Sequence, residues 1–188
     1  LHTGFPLDAE AVLIVEVAGS MAEVEAEAAV VERILRQKEP REIRTATEES
    51  ERERLWAGRK GAIGALGRIE PTYYLLDGVV PRTKLPDVLD EVYRIAKRYS
   101  LPVANVFHAG DGNLHPCLLF DEREAGVTDR VLEAGAEIMR ACVDAGGAIS
   151  GEHGVGAEKR SFLPWIFTNE DMAATVSYTH LTLPTSDL

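Results

Sequence analysis

Hydrophobic and polar positions along the chain follow two periods, and the switches between them mark out the elements. Residues 11–17 are almost continuously apolar, which predicts a buried strand. Ser20 with Glu23 three residues on is a capping box. It opens a helix that carries Val24, Ala28, Val31 and Leu35 on one face. A short strand is predicted over 42–45, and a helix over 49–67 carrying Trp56, Ile63 and Leu66. Residues 73–80 read as a strand stopped by Pro81. Thr83 then caps a helix with Leu85, Leu89, Val92 and Ala96 in line. Thr128 begins a further helix with Leu132, Ala136, Met139 and Val143 in register, and Gly146-Gly147 ends it. Residues 148–150 lead into a Gly-rich stretch. Residues 158–167 look helical with a break at Pro164, and Asn169-Glu170-Asp171 starts the last helix.

Between the third and fourth helices lies the stretch around which the chain is organised. Two apolar runs, 103–107 and 114–120, flank His108-Ala109-Gly110-Asp111-Gly112-Asn113. Asp111-Gly112 suits a two-residue type I′ turn, which predicts a β-hairpin with His108 opposite His115. Opposed residues share a face, with Cβ atoms roughly 5 Å apart. A hairpin demands antiparallel pairing, while strands and helices alternate elsewhere. The expected fold class is therefore α+β, a ferredoxin-like antiparallel sheet with helices on one face.

Composition narrows the function. The net charge of −11 argues against nucleic acid, whose binding depends on neutralising phosphates. Apolar residues make up 45% of the chain, yet no apolar run is long enough to span a membrane. No signal peptide is visible at the amino end. Cys117 and Cys142 form no CxxC pair and read as free thiols, the usage of a reducing cytoplasm.

Three of the five histidines sit in Gly-rich frames: His108, His115 and His153. His108 and His115 with Glu152 make a two-imidazole, one-carboxylate set, a pattern for a catalytic divalent metal with open positions. Asp111 is expected to make the turn rather than ligate. His153 is the candidate general base, because an imidazole exchanges protons near neutral pH. Arg59 is the best bidentate clamp for a substrate carboxylate; Lys60, Arg82 and Lys159-Arg160 are weaker ones. Tyr73 and Tyr74 must face opposite sides of their strand. No Gly-rich stretch has the spacing of a phosphate loop.

These residues carry a family resemblance. Trp56-Ala-Gly-Arg-Lys60, Tyr73-Tyr74-Leu-Leu-Asp-Gly-Val-Val-Pro-Arg82, Phe107-His-Ala-Gly-Asp-Gly-Asn-Leu-His-Pro116 and Gly151-Glu-His-Gly-Val-Gly-Ala-Glu-Lys159 resemble the C-terminal cap domain of FAD-linked oxidases. The nearest look is to the glycolate oxidase flavoprotein subunit and D-lactate dehydrogenases, over about residues 5–174. The resemblance implies that His108, His115 and Glu152 are ligands of a divalent metal (zinc, manganese or iron). It implies further that His153 is the base and that Arg59 holds the substrate carboxylate. Tyr74 and Cys117 stand where those relatives place a lysine and an asparagine against the acid. It also implies FAD, bound mainly by an N-terminal domain outside this chain, and a small 2-hydroxyacid substrate. Partner subunits or an electron acceptor could bring it to the inner face of a membrane. Residues 1–175 are expected to form the cap domain, and 176–188, rich in Thr and Ser, a foreign or disordered tail. Two other functions suit the same residues: a hydrolase using the His/His/Glu set on bound water, and a non-catalytic ferredoxin-like binding module.

Overall fold

A computed structural model describes residues 4–6 and 8–179. The chain divides into two units, 1–62 and 63–188, with the boundary inside a helix. The first unit holds α1 (Met21–Arg36) and most of α2 (Glu49–Leu66). The capping box forms as expected. The Ser20 N–H and hydroxyl both donate to Glu23 Oε2, at 2.8 and 2.7 Å. Residues 11–17 and 42–45 are not strands: among the described residues neither has a ladder partner. Val12, Leu13 and Val15 stand 51, 63 and 48% exposed. An apolar run becomes a strand only when a neighbour supplies N–H and C=O groups, and among the described residues none pairs with these segments.

The second unit carries the sheet. Its elements run β1 (Thr72–Leu75), β2 (Gly78–Val79), α3 (Leu85–Arg98), β3 (Val103–Asn105), β4 (Asn113–Leu114), β5 (Pro116–Phe120), α4 (Val127–Asp144) and α5 (Asn169–Thr179). The strand predicted over 73–80 is thus two pieces, but one antiparallel register continues through both. Thr72 to Leu75 pair with Phe120 to Cys117, and Gly78 and Val79 pair with Leu114 and Asn113. The break falls where Leu76 meets Pro116, because proline has no N–H to give the ladder. β3 pairs with the other edge of β5, and Ala148 bridges antiparallel to Val79. Read across the sheet, Ala148, β1–β2, β4–β5 and β3 take the order of a ferredoxin-like βαββαβ unit, with its last strand reduced to one bridge. This bears out the expected α+β class.

α3 and α4 pack on one face of that sheet. Leu76 and Leu118 meet Val92, Ile95 and Ala96 of α3 and Val131, Ala134, Ile138 and Met139 of α4. The buried stripe of α4 differs from the predicted one. Leu132 is 47% exposed, while Val131, Ala134, Gly135, Ile138, Met139 and Cys142 are buried. The Tyr74 ring explains the shift: a Cβ on Gly135 would come within 2.6 Å of it, so the helix turns its small residues to the sheet. Thr83 is not a cap; it lies in a 3-10 turn, Arg82–Lys84, ahead of α3. The 158–167 helix is a 3-10 segment, Arg160–Trp165, around Pro164. α5 continues through Thr179, past the predicted start of the tail at 176. Residues 180–188 lie outside the described residues. No helix among the described residues is long and apolar enough to cross a membrane.

Candidate metal centre

Strand alternation sorts the side chains of the sheet. Leu76, Gly78, Leu114 and Leu118 face α3 and α4, where Gly78 lies against Cys142 and Met139. The opposite face presents Asp77, Asn113, His115 and Cys117. The hairpin differs from its predicted form by two residues of register. His108 pairs with Asn113, through N–H to O distances of 3.2 and 3.3 Å, and four residues make the loop. The loop holds a 3-10 turn, Ala109–Asp111, followed by Gly112 at φ +72°. With a side-chain period of two, an even shift keeps every residue on its face. His108 and His115 are therefore diagonal neighbours, with ring centroids 5.7 Å apart and planes nearly perpendicular.

His115 is held by the same proline that interrupts the ladder. Leu76 N–H donates to Pro116 O at 2.9 Å, but the return bond would need the N–H that proline lacks. His115 Nδ1 stands 3.3 Å from Leu76 O and fills that place. A carbonyl only accepts, so Nδ1 carries the hydrogen and Nε2 is left for a ligand. Nε2 faces Glu152 Oε1 at 2.8 Å, and the same oxygen lies 3.9 Å from His108 Nε2 and 3.7 Å from His153 Nε2. The ligand atoms of His108, His115 and Glu152 all fall within 4.8 Å of one another. Two donors about 2.1 Å from a shared ion lie about 3 Å apart at a right angle, a spacing that His115 and Glu152 have at 2.8 Å and from which His108, 3.9 Å from the carboxylate, stands back. His115 is buried, whereas His108 and Glu152 are half exposed, so one side stays open. The His153 ring stacks on His115 at 5.0 Å, with 13° between the planes.

Sequence reasoning missed Asp77. Wholly buried between β1 and β2, its Oδ2 accepts from the Ser150 hydroxyl at 2.8 Å and from the N–H groups of Gly151 and His153 at 2.9 and 3.0 Å. Lys159, expected as a weak anion clamp, is instead buried, with Nζ 3.2 Å from this oxygen and 3.0 Å from Asp77 O. An acid closing the apolar run 73–76 was the available signal, because such a residue needs a partner. Burial opposes ionisation of Asp77. The His153 N–H, Ser150 and Lys159 outweigh it and hold the carboxyl well below its ordinary value of 3.8. A depressed pKa stabilises the fold above the unfolded value and ceases to do so as pH falls through the folded one. The stability gap between wild type and Asp77→Asn is therefore expected to stay constant from pH 6 to about 4. It then narrows below about pH 4, as urea melts at each pH would show.

The remaining candidates are scattered. Tyr74 lies on the α4 face, where its hydroxyl donates to Glu158, and burial followed by that bond raises its pKa. Tyr73 occupies the face that carries His115. Cys117 is on the His115 face but fully enclosed with Leu66 and Leu119, and burial pushes its thiol up to about 11. Tyr74 and Cys117 thus project from opposite sides of the sheet, and the structure does not bring them together. Arg59 is half buried on α2, in the first unit. Both cysteines are free, as expected.

The family model described as FAD linked oxidases, C-terminal domain, matches residues 1–177. The glycolate oxidase subunit GlcD of Escherichia coli K12 is 50% identical over 159 residues, which cover 85% of this chain and 32% of that protein. GlcD of Bacillus subtilis is 36% identical over 171 residues, 91% of this chain and 36% of its own length. A probable mitochondrial D-lactate dehydrogenase of Danio rerio is 31% identical over 155 residues, 80% and 31% of the two chains. The chain spans about a third of the length of these relatives. It belongs to the FAD-linked oxidases, as their C-terminal domain.

Proposed function

We propose that the chain is the metal- and substrate-handling part of a flavin-linked dehydrogenase that oxidises a small 2-hydroxyacid, of the glycolate or D-lactate kind, to the 2-oxoacid. The observation that carries this is the convergence of His108, His115 and Glu152 on one sheet face, with Nε2 of the buried histidine turned toward the carboxylate. FAD, bound by a part of the protein outside this chain, supplies the acceptor of the two electrons. His108, His115 and Glu152 would hold a divalent ion, which would supply Lewis-acid chemistry to the bound hydroxyacid. Of the chain's own groups, His153 Nε2 takes the proton from the 2-hydroxyl, and its stacking on His115 holds it beside the ligands. Arg59 is assigned to the substrate carboxylate, for which its planar fork is suited.

The test uses the full-length protein that carries this chain. Bound metal is measured by mass spectrometry, and dye reduction with glycolate and D-lactate by absorbance. Glu152→Ala is expected to lose both metal and turnover. His153→Ala keeps the metal and loses a hundredfold to ten-thousandfold in kcat, roughly the worth of a general base. A wild-type protein without metal, even after incubation with zinc, manganese and iron, would overturn the centre. Metal without turnover on any 2-hydroxyacid would overturn the substrate class.

A further inference from the structure

We propose that Asp77 and Lys159 are positioning residues that set the Gly151–His153 loop, and with it Glu152, in the metal-facing place before any ion arrives. The inference rests on the metal centre proposed above. Three successive backbone N–H groups, of Gly151, Glu152 and His153, converge on the one Asp77 carboxylate, joined by the Ser150 hydroxyl. Such a grip fixes the path of the backbone, and the Glu152 side chain leaves from the middle of it. Gly151 completes the fit: a Cβ there would come within 2.7 Å of both Asn113 Nδ2 and Val79 Cγ2, so the loop lies directly on the sheet. Lys159, bonded to both the side chain and the carbonyl of Asp77, ties down the far end of the same segment. Its charge is what allows an anion to be wholly buried. Glu152 is itself half exposed and long. Unless its backbone is held, its freedom must be lost when an ion binds.

Asp77 also lies within ligand distance of His115 and His153, which makes direct coordination the rival role. The geometry points away from it, because Oδ2 already accepts from Ser150, Gly151, His153 and Lys159, and Oδ1 accepts from the Glu152 N–H at 3.2 Å. Cobalt(II) separates the two roles: its visible d–d bands report the ligand set, and titration gives the affinity. The 188-residue chain is titrated as wild type, His115→Ala, Asp77→Asn and Lys159→Met, each checked for folding by circular dichroism. Expected is a tenfold to hundredfold rise in Kd for Asp77→Asn and Lys159→Met, roughly that of other groups that orient ligands, with wild-type bands at saturation. An unchanged Kd in the folded variants would reduce the pair to a structural role. Altered bands would make Asp77 a ligand instead; either result overturns the proposal. Should Asp77→Asn fail to fold, Ser150→Ala removes one donor to the same oxygen, and about a fivefold rise is expected; no change there overturns the proposal equally. A wild-type chain that binds no cobalt, or a His115→Ala chain that binds it equally well, removes the metal centre and this inference with it. That outcome is recognisable before the Asp77 data are read.

Discussion

Alanine in place of His115 is expected to weaken divalent-metal binding at the proposed centre at least about a hundredfold and to destabilise the metal-free chain by about 2 kcal/mol, whereas alanine at His108 is expected to weaken metal binding alone. The metal loss follows from the ligand count. Structural zinc sites with four ligands are worth about 10–16 kcal/mol, so one of three ligands carries at least about 3 kcal/mol, or two orders of magnitude in affinity. The two histidines differ in what else they do. His108 is half exposed, so its truncation leaves the interior intact. His115 is 4% exposed, and its Nδ1 serves the Leu76 carbonyl that Pro116 cannot. Its removal leaves a buried acceptor unsatisfied, at about 1–3 kcal/mol, together with a void. Calorimetric titration with zinc reads the first effect, and urea denaturation in chelator reads the second. Equal stability of the two variants without metal would show that the bond to Leu76 contributes nothing.

Gly112→Ala lowers stability by about 3 kcal/mol, while Gly110→Ala, two residues away in the same loop, stays within about 0.5 kcal/mol of wild type. At φ +72° Gly112 adopts a left-handed conformation that costs an L-residue about 1–2 kcal/mol. Its Cβ would also come 2.2 Å from Val80 O, a backbone atom that cannot step aside. The loop tip is bonded there as well, since Val80 N–H donates to Gly112 O at 2.9 Å. No atom lies within 4 Å of a Cβ on Gly110, which makes it the internal control. For a chain of this length the Gly112 change lowers Tm by roughly 6–12 °C, as a calorimetric scan would record. A Tm within a degree or two of wild type would mean that the hairpin can re-form around another turn. Metal affinity is expected to fall too, because His108 enters directly from this loop.

The sequence by itself singled out the candidate ligands of the proposed centre. Histidine and glutamate in glycine frames, at 108, 115 and 152, were legible because few other side chains perform this chemistry and their frames are short. It also determined the shared face of the two histidines, since a period of two survives a register error of two residues. The α+β class followed from a hairpin embedded among amphipathic helices, and the Ser20–Glu23 box was legible because both partners lie within one turn.

Only the tertiary structure decided matters that depend on a distant partner. Residues 11–17 carry a strand's composition without a strand's neighbour. α4 turns its small residues inward because the Tyr74 ring needs the space at Gly135, a demand from another element. The His115 tautomer rests on a hydrogen bond to Leu76, 39 positions earlier, left open by a proline in the facing strand. Asp77 meets its loop across more than 70 residues and Lys159 across 82. Side-chain chemistry and local period are written residue by residue, so they can be read from the chain. A buried charge, a missing N–H or a tight approach acquires its partner only when the chain closes on itself, and there the sequence shows the need but not what meets it.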